Sequence, residues 1–303
     1  MNQQVLNLST INYKQYYALC KPKVVYLIIF TAVVGMLLSM PGALPLGTFL
    51  AATVGIGLAS ASGAALNHWV DQRFDVLMER TQNRPLPQGE LTSSSALIFA
   101  LGLAVIAMIV LMMWVNMLTA LLTLTSLVGY AVIYTVYLKR TTPQNIVLGG
   151  AAGAAPPLLG WAALTGEVNT EALLLFLIIF VWTPPHFWAL AIKRKDEYAK
   201  AGLPMLPVTH GICFTKFHIV LYTLLLLLVS LMPFVIHMTG LVYLSGAITL
   251  GLGFLYHTIK LYRTGDGDEH AMKTFGFSIF YLTALFAFLL LDHYARVLIH
   301  LFF

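Results

Sequence analysis

Apolar residues run along this chain in long blocks separated by short polar stretches. A helix needs about 20 mostly apolar residues to cross the hydrocarbon core of a bilayer. Nine such windows are present, at 24–42, 46–66, 94–115, 117–138, 145–164, 171–192, 214–236, 240–262 and 276–301. The pattern predicts an all-α polytopic membrane protein, a single integral-membrane domain over 1–303 with a short N-terminal segment, 1–23, on the inner side of the bilayer. The first window follows more than twenty largely polar residues and has no clear small-residue cleavage site behind it, which sets it apart from a cleaved signal peptide. The fifth, NIVLGGAAGAAPPLLGWAAL, is only weakly hydrophobic but rich in Gly and Ala. Small residues let helices approach closely, so it is expected to lie buried among its neighbours.

Composition sharpens this reading. Of 303 residues, 59% are hydrophobic and 10% charged, against roughly 25% charged in ordinary soluble domains. That excludes a soluble globular enzyme, a disordered regulator and a nucleic-acid-binding domain. The net charge of +5 is better explained by membrane orientation. With the N-terminus inside, all of the 17 basic residues but Arg296 fall on one side, which the positive-inside rule makes the cytoplasmic side of a bacterial inner membrane. The C-terminus is then expected on the opposite side. Cys20 and Cys213 lie far apart, outside any CxxC or Cys/His run, and suggest neither a disulfide framework nor a zinc site.

The polar loops long enough for chemistry lie on the basic side. In NHWVDQRFDVLMERTQNRPLPQGE, Asn67, Asp71 and Asp75 recur at i, i+4 and i+8. On a helix each step advances about 40°, so the three line one stripe continuing from the second window. Two carboxylates and an amide oxygen suit Mg²⁺, which is commonly held by one or two carboxylates together with substrate phosphates. Arg80 and Arg84 follow, with planar forks that match phosphate oxygens, before Pro85 and Pro87 stop the helix. The same spacing also suits an amphipathic helix end laced with Arg–Asp pairs, but carboxylates near membrane depth are costly and usually mark a site.

In YAVIYTVYLKRTTPQN, Tyr130, Tyr134 and Tyr137 form an aromatic face leading to Lys139 and Arg140. It is either an interfacial belt with snorkelling bases or the wall of a pocket that stabilises a cation beside a diphosphate. In FVWTPPHFWALAIKRKDEYAKAGLPMLP, tandem Pro184 and Pro185 are expected to kink or break the sixth span. His186 and Trp188 follow, then Lys193, Asp196 and Tyr198 on the inner side. His186 is a structural histidine or a ligand contact. The Gly265–Glu269 run lacks the spacing of a calcium loop and is expected to be a solvated turn.

Together these segments are identified by resemblance. NHWVDQRFDVLMERTQNRPLPQG resembles the first aspartate-rich motif of the UbiA superfamily of intramembrane prenyltransferases. YTVYLKRTTPQNIVLGGAAGAAPPLLGW and WTPPHFWALAIKRKDEYAKAGLPMLPVTHG are similar, more narrowly, to its haem-farnesylating branch. The resemblance implies a nine-helix bundle around a central cavity that opens to lipid. It also implies a reaction, in which farnesyl diphosphate and haem b give haem O and diphosphate, with haem as substrate and Mg²⁺ as cofactor. The implied diphosphate and metal site comprises Asn67, Asp71, Asp75, Arg80, Arg84, Lys139 and Arg140. Tyr130, Tyr134, Tyr137, His186, Trp188, Lys193, Asp196 and Tyr198 are the implied substrate contacts. The product would pass towards a haem–copper terminal oxidase assembly or a haem A synthase. Superfamily relatives usually carry a second DxxxD motif after the sixth span. Here Asp196 is followed by Lys200, and Lys193 or Lys200 is expected to supply charge in place of a second ion.

Two other readings fit part of the pattern. A sister enzyme prenylating a quinone precursor or another aromatic ring would share the first motif. A non-catalytic haem-binding or transport protein would also use broken helices and intramembrane charge, although the halves of this chain show no convincing inverted repeat.

Overall fold

The computed structural model describes residues 13–40, 42–79, 81–265 and 267–302, without the side chains of 300–302. Among the described residues there are helices and turns but no strands. A short helix, Tyr13–Leu19 (α1), precedes nine long ones. These are Pro22–Leu38 (α2), Leu46–Asp75 (α3), Ser93–Trp114 (α4), Met117–Thr141 (α5), Asn145–Thr165 (α6), Thr170–Lys193 (α7), Ile212–Val235 (α8), Leu241–Tyr262 (α9) and Ala271–Phe302 (α10). Eight are long and apolar enough to span a bilayer alone, and α2 is so together with α1, from which it is bent by 55°. This is a polytopic membrane protein.

Each apolar window became a helix because backbone groups in hydrocarbon must be paired within their own segment. The ends are set by local chemistry. Thr92, Asn116 and Asn169 accept bonds from the backbone N–H groups of Ser95, Thr119 and Ala172, capping α4, α5 and α7. On the face opposite the basic loops, Asp292 accepts from the N–H groups of Gly240 (2.6 Å) and Tyr243 (3.1 Å), where α9 begins. Arg296 donates to the Met238 carbonyl at 2.9 Å. Arg296, the one Lys or Arg on that face among the described residues, therefore secures the α8–α9 turn. On the basic face, buried Lys216 donates to Thr264 Oγ1 (2.7 Å) and to the carbonyls of Gly265 (2.7 Å) and Gly267 (2.6 Å), closing the α9–α10 turn.

Helix α7 packs against α6, α8 and α10, α3 against α2, α4 and α5, and α2 reaches both α6 and α10. The largest apolar core includes Leu175, Ile178 and Trp182 of α7, Leu226 of α8, Phe254 of α9 and Phe286 of α10. As expected from its small residues, α6 is the most buried of the spans. A Cβ at Gly160 would collide with the Ala32 carbonyl, and one at Gly35 with that of Pro157. Gly160→Val is therefore expected to lower the thermal midpoint of the detergent-solubilised protein by roughly 5 °C, the size of effect overpacking produces. Gly102→Ala, where a Cβ meets nothing within 4 Å, should cause no such loss.

Two local expectations are corrected, a break in the sixth span and a proline stop to the first acidic helix. Pro184 and Pro185 lie inside α7, which continues through them unbroken to Lys193. They leave the carbonyls of Phe180 and Val181 without their usual donors, but the flanking Trp182 is tied to α10 by Nε1–H donation to the Ser278 carbonyl at 2.8 Å. The helix bearing the first acidic motif ends at Asp75, ahead of the proline run. There Thr81 Oγ1 donates to the Asp75 carbonyl at 2.9 Å and the chain turns back on itself.

Candidate active site

Helix α3 has 30 residues, roughly 45 Å at 1.5 Å per residue, longer than a bilayer core of about 30 Å requires, and its polar last turns lie on the basic face. Asn67, Asp71 and Asp75 sit there on one stripe, with exposures of 5%, 2% and 4%. Such burial of carboxylates requires paired charge and hydrogen bonds. The partners come from three other segments. Lys139 donates to Asp71 Oδ2 at 2.5 Å, and Arg140 to Oδ1 at 3.1 Å with its guanidinium 4.0 Å above the Phe74 ring. Arg84 returns from the loop to donate to Asp75 Oδ2 at 2.7 Å. Lys21, between α1 and α2, donates to Asn67 Oδ1 at 2.5 Å.

The Asn67 amide is held on both sides. Its Nδ2 donates to Asp71 Oδ2 (3.1 Å) and Thr135 Oγ1 (3.3 Å), leaving Oδ1 to face Lys21. Thr135 is placed by ten residues of α5, Gly129–Leu138, wound as a π-helix, in which Thr135 Oγ1 donates to the Tyr130 carbonyl five residues back at 2.8 Å. π-winding is rare and frequently occurs at functional sites. It also stacks Tyr130 on Tyr134, with centroids 5.7 Å apart, and a Cβ at position 149 would overlap the Tyr134 ring.

These groups enclose a cavity of about 230 Å³ lined by Lys21, Asn67, Asp71, Asp75, Arg84, Tyr130, Tyr134, Lys139 and Tyr198, with Met78, Phe187, Leu203 and Met205. A second cavity of about 170 Å³ shares Lys21, Val24 and Tyr130 with it and is otherwise mainly apolar, with Ser60, Thr123 and Ser126 among its lining, running between α2, α3, α5 and α6 past Ile28, Ile56, Leu127 and Leu159. A third, about 380 Å³, lies between α5 and α6, and Tyr134 belongs to both it and the polar cavity. In the polar cluster two carboxylates face four bases, which favours an anionic occupant joined to a long apolar one.

Several other expected residues lie elsewhere. Arg80 is outside the described residues. Tyr137 is 65% exposed, because π-winding turns it away from the face that Tyr130 and Tyr134 share. Trp188 is 1% exposed and packs with Ile146, Ile192 and Leu206, its ring edge-on to Tyr222. Lys193 is exposed and pairs with Asp268 at 3.0 Å, while Asp196 and Lys200 are exposed. His186 does not line the polar cavity. It stacks between Trp182 (4.2 Å) and Phe275 (4.6 Å), with Nδ1 2.7 Å from Ser278 Oγ. Ser278 Oγ also lies 2.6 Å from the Phe275 carbonyl, to which it donates. Lys21 and Thr135 were not singled out from sequence. A lysine before Pro22 at the mouth of a span counts there only as an orientation charge.

The profile of the UbiA prenyltransferase family matches residues 28–291. This chain belongs to the UbiA prenyltransferase family. It is 64% identical over 287 residues to a protein of Thioalkalivibrio sulfidiphilus named protoheme IX farnesyltransferase, covering 95% of each chain. It is 62% identical over 283 residues to one of the same name from Nitrosococcus oceani, covering 93% of this chain and 94% of that one. Among solved structures it resembles a digeranylgeranylglyceryl phosphate synthase (TM-score 0.79, 18% identity, 93% and 98% covered). It also resembles a UbiA homolog from Archaeoglobus fulgidus bound to GPP and Mg²⁺ (TM-score 0.62, 15% identity, 91% and 99% covered). The UbiA fold seen in those structures is thus the fold of this chain, and the chain is an intramembrane prenyltransferase.

The polar cavity of this UbiA member fits a magnesium ion shared with a substrate. Among the described residues no three of His, Cys, Asp and Glu cluster to hold a metal by themselves. Two carboxylates and one oriented amide oxygen form the hard, incomplete donor set that Mg²⁺ takes up with phosphate oxygens. Lys193, in contrast, is an exposed partner of an exposed acid. Lys193→Ala is expected to change the steady-state rate less than about threefold, in line with the small worth of surface ion pairs.

Proposed function

We propose that this chain transfers the farnesyl group of farnesyl diphosphate to a vinyl group of haem b, with addition of water, giving haem O and diphosphate. What carries the proposal is the junction of a basic, carboxylate-bearing cavity with an apolar one, in a chain 64% identical to a protein named protoheme IX farnesyltransferase. The diphosphate belongs in the polar cavity and the farnesyl chain in the apolar one. That the Archaeoglobus fulgidus homolog binds GPP and Mg²⁺ supports a metal-dependent site for a prenyl diphosphate here.

Asn67, Asp71 and Asp75 would hold Mg²⁺ against the diphosphate, where the ion supplies neutralisation of leaving-group charge. Arg84, Lys139 and Arg140, which pair with those carboxylates in this structure, turn their donors to the diphosphate oxygens and stabilise them as the C1–O bond breaks. The bonding pair leaves with the diphosphate, and C1 becomes part of an allylic cation. The stacked faces of Tyr130 and Tyr134 stabilise that cation and keep water from it. The vinyl π pair of haem then forms the new bond to C1. The cation this creates beside the porphyrin takes up water and loses a proton, leaving a hydroxyethylfarnesyl substituent.

The basic face is cytoplasmic in this reading, since Arg296 alone of 17 bases lies opposite. His186, whose Nδ1 is engaged by Ser278 Oγ, is the proposed contact to the haem acceptor. His186→Ala is expected to raise KM for haem b about tenfold, a loss of one charge-free contact, with little change for farnesyl diphosphate. Equal loss for both substrates would make the residue structural. The reaction itself is tested by incubating purified protein with farnesyl diphosphate, Mg²⁺ and either haem b or 4-hydroxybenzoate, with products read by mass spectrometry. Haem O from the first mixture alone is expected, whereas product only from the second would end the haem assignment.

A further inference from the structure

Lys21 lies where the two proposed substrate cavities meet. Of the three residues common to both, Lys21, Val24 and Tyr130, it alone is basic. An allylic diphosphate with its phosphates in one cavity and its chain in the other has the scissile C1–O bond at that junction. An ammonium group placed there faces the oxygen that leaves.

Its position is built by the backbone. Lys21 has φ 48° and ψ 61°, in the left-handed region that residues other than Gly seldom occupy. Pro22 follows as the first residue of α2, and the axes of α1 and α2 diverge by 55° across this point. On the other side, fully buried Leu19 anchors α1 against Ala65, Ala96 and Ala100. Such strain persists only where the surroundings over-determine it, and it collects at ligand clamps. Here it directs an ammonium inward that could otherwise reach solvent. One of the three ammonium donors is used, on Asn67 Oδ1.

We propose that Lys21 is a ligand of the prenyl diphosphate, donating to the oxygen attached to C1 and stabilising it as the bond to carbon breaks. The proposal rests on the diphosphate assignment of the polar cavity, though not on the identity of the acceptor. When Asn67 Oδ1 is taken up elsewhere, the ammonium is already within reach of the junction and needs only a side-chain rotation to deliver its donors.

Lys21→Met, Lys21→Gly and Lys21→Arg test this. The Gly variant relieves the left-handed backbone, so it separates loss of the ammonium from failure to fold, which a thermal midpoint in detergent checks directly. The Met and Gly variants are expected to lose about 10²-fold in kcat, the effect of removing one donor to a developing anion. At saturating Mg²⁺ their inhibition constant for inorganic pyrophosphate should rise about tenfold, and Lys21→Arg should recover most of that affinity. A turn-shaping role alone would leave pyrophosphate inhibition of the Gly variant at the parent value, and that result would overturn the proposal, as would turnover within twofold of the parent. Parent protein that does not bind pyrophosphate at all would instead refute the diphosphate site. Parent protein that prenylates only another acceptor would refute the haem assignment and leave Lys21 testable by the same inhibition.

Discussion

Asp71→Asn is expected to lower the rate of farnesyl transfer by about 10³-fold, the upper end of what a single preorganised electrostatic contact supplies, in a protein that still inserts and folds. Asp71 receives Lys139 on one oxygen, Arg140 on the other, and the Asn67 amide as well. Its charge therefore organises most of the cluster as well as offering an oxygen to a metal. The asparagine keeps the volume and an acceptor but removes the charge. Alanine would leave two bases facing a vacated position with no counter-charge, and breaking a buried pair in this way costs about 3–5 kcal/mol. The comparison is thus informative: Asn should retain the thermal midpoint better than Ala while losing nearly as much activity. Asp75→Asn should behave alike through Arg84. Product formation by both Asn variants near the parent rate, measured as haem O by mass spectrometry, would show that these carboxylates only hold the fold.

Withdrawal of divalent metal is the second large effect. With a chelator in excess, farnesyl transfer should fall to background, and restoring Mg²⁺ should return it. The reason lies in the charge balance of the cavity. Three of the four bases, Arg84, Lys139 and Arg140, already hold the two carboxylates in this structure, while Lys21 is held by the Asn67 amide oxygen. To bind a diphosphate, the bases must be freed from the carboxylates, and a cation taking up the carboxylate oxygens allows that exchange without leaving a buried anion unpaired. The unfolding midpoint should change little on chelation, since the carboxylates keep their basic partners. Full turnover with the metal removed would mean that the bases alone carry the leaving-group charge.

Much of this was legible in the sequence because membrane physics is strict. Every window of about 20 apolar residues corresponds to a helix, and the Gly- and Ala-rich α6 lies where small residues belong. The Asn67, Asp71 and Asp75 stripe was visible because helical spacing fixes a common face, and Arg84, Lys139 and Arg140 joined it as expected. What escaped was set by departures from regular geometry or by distant partners. The Tyr130, Tyr134 and Tyr137 face assumed α-winding, whereas π-winding keeps the first two and turns out the third. The tandem prolines were expected to kink or break the span; the helix runs on unbroken, with Trp182 beside them tied to the Ser278 carbonyl of α10. Lys193 was expected at the phosphates, but Asp268, 75 residues away in sequence, holds it at the surface. Lys21 lay among orientation charges, and only the bend at Pro22 and the distant Asn67 reveal its place.

The central claim is that the ends of α3 and α5, with Lys21 and Arg84, grip a metal-bound diphosphate whose chain lies in the adjoining apolar cavity. It is tested most directly by anomalous diffraction from crystals of the protein grown with Mn²⁺ and a non-hydrolysable farnesyl diphosphate analogue. The expected map has a manganese peak within bonding distance of Asn67 Oδ1 and the Asp71 and Asp75 carboxylates, with Lys139 and Arg84 turned to the phosphates and the farnesyl chain against Ile56 and Leu159. Analogue bound elsewhere, with Asp71 still paired to Lys139 and Arg140 and manganese absent from the cluster, would contradict it.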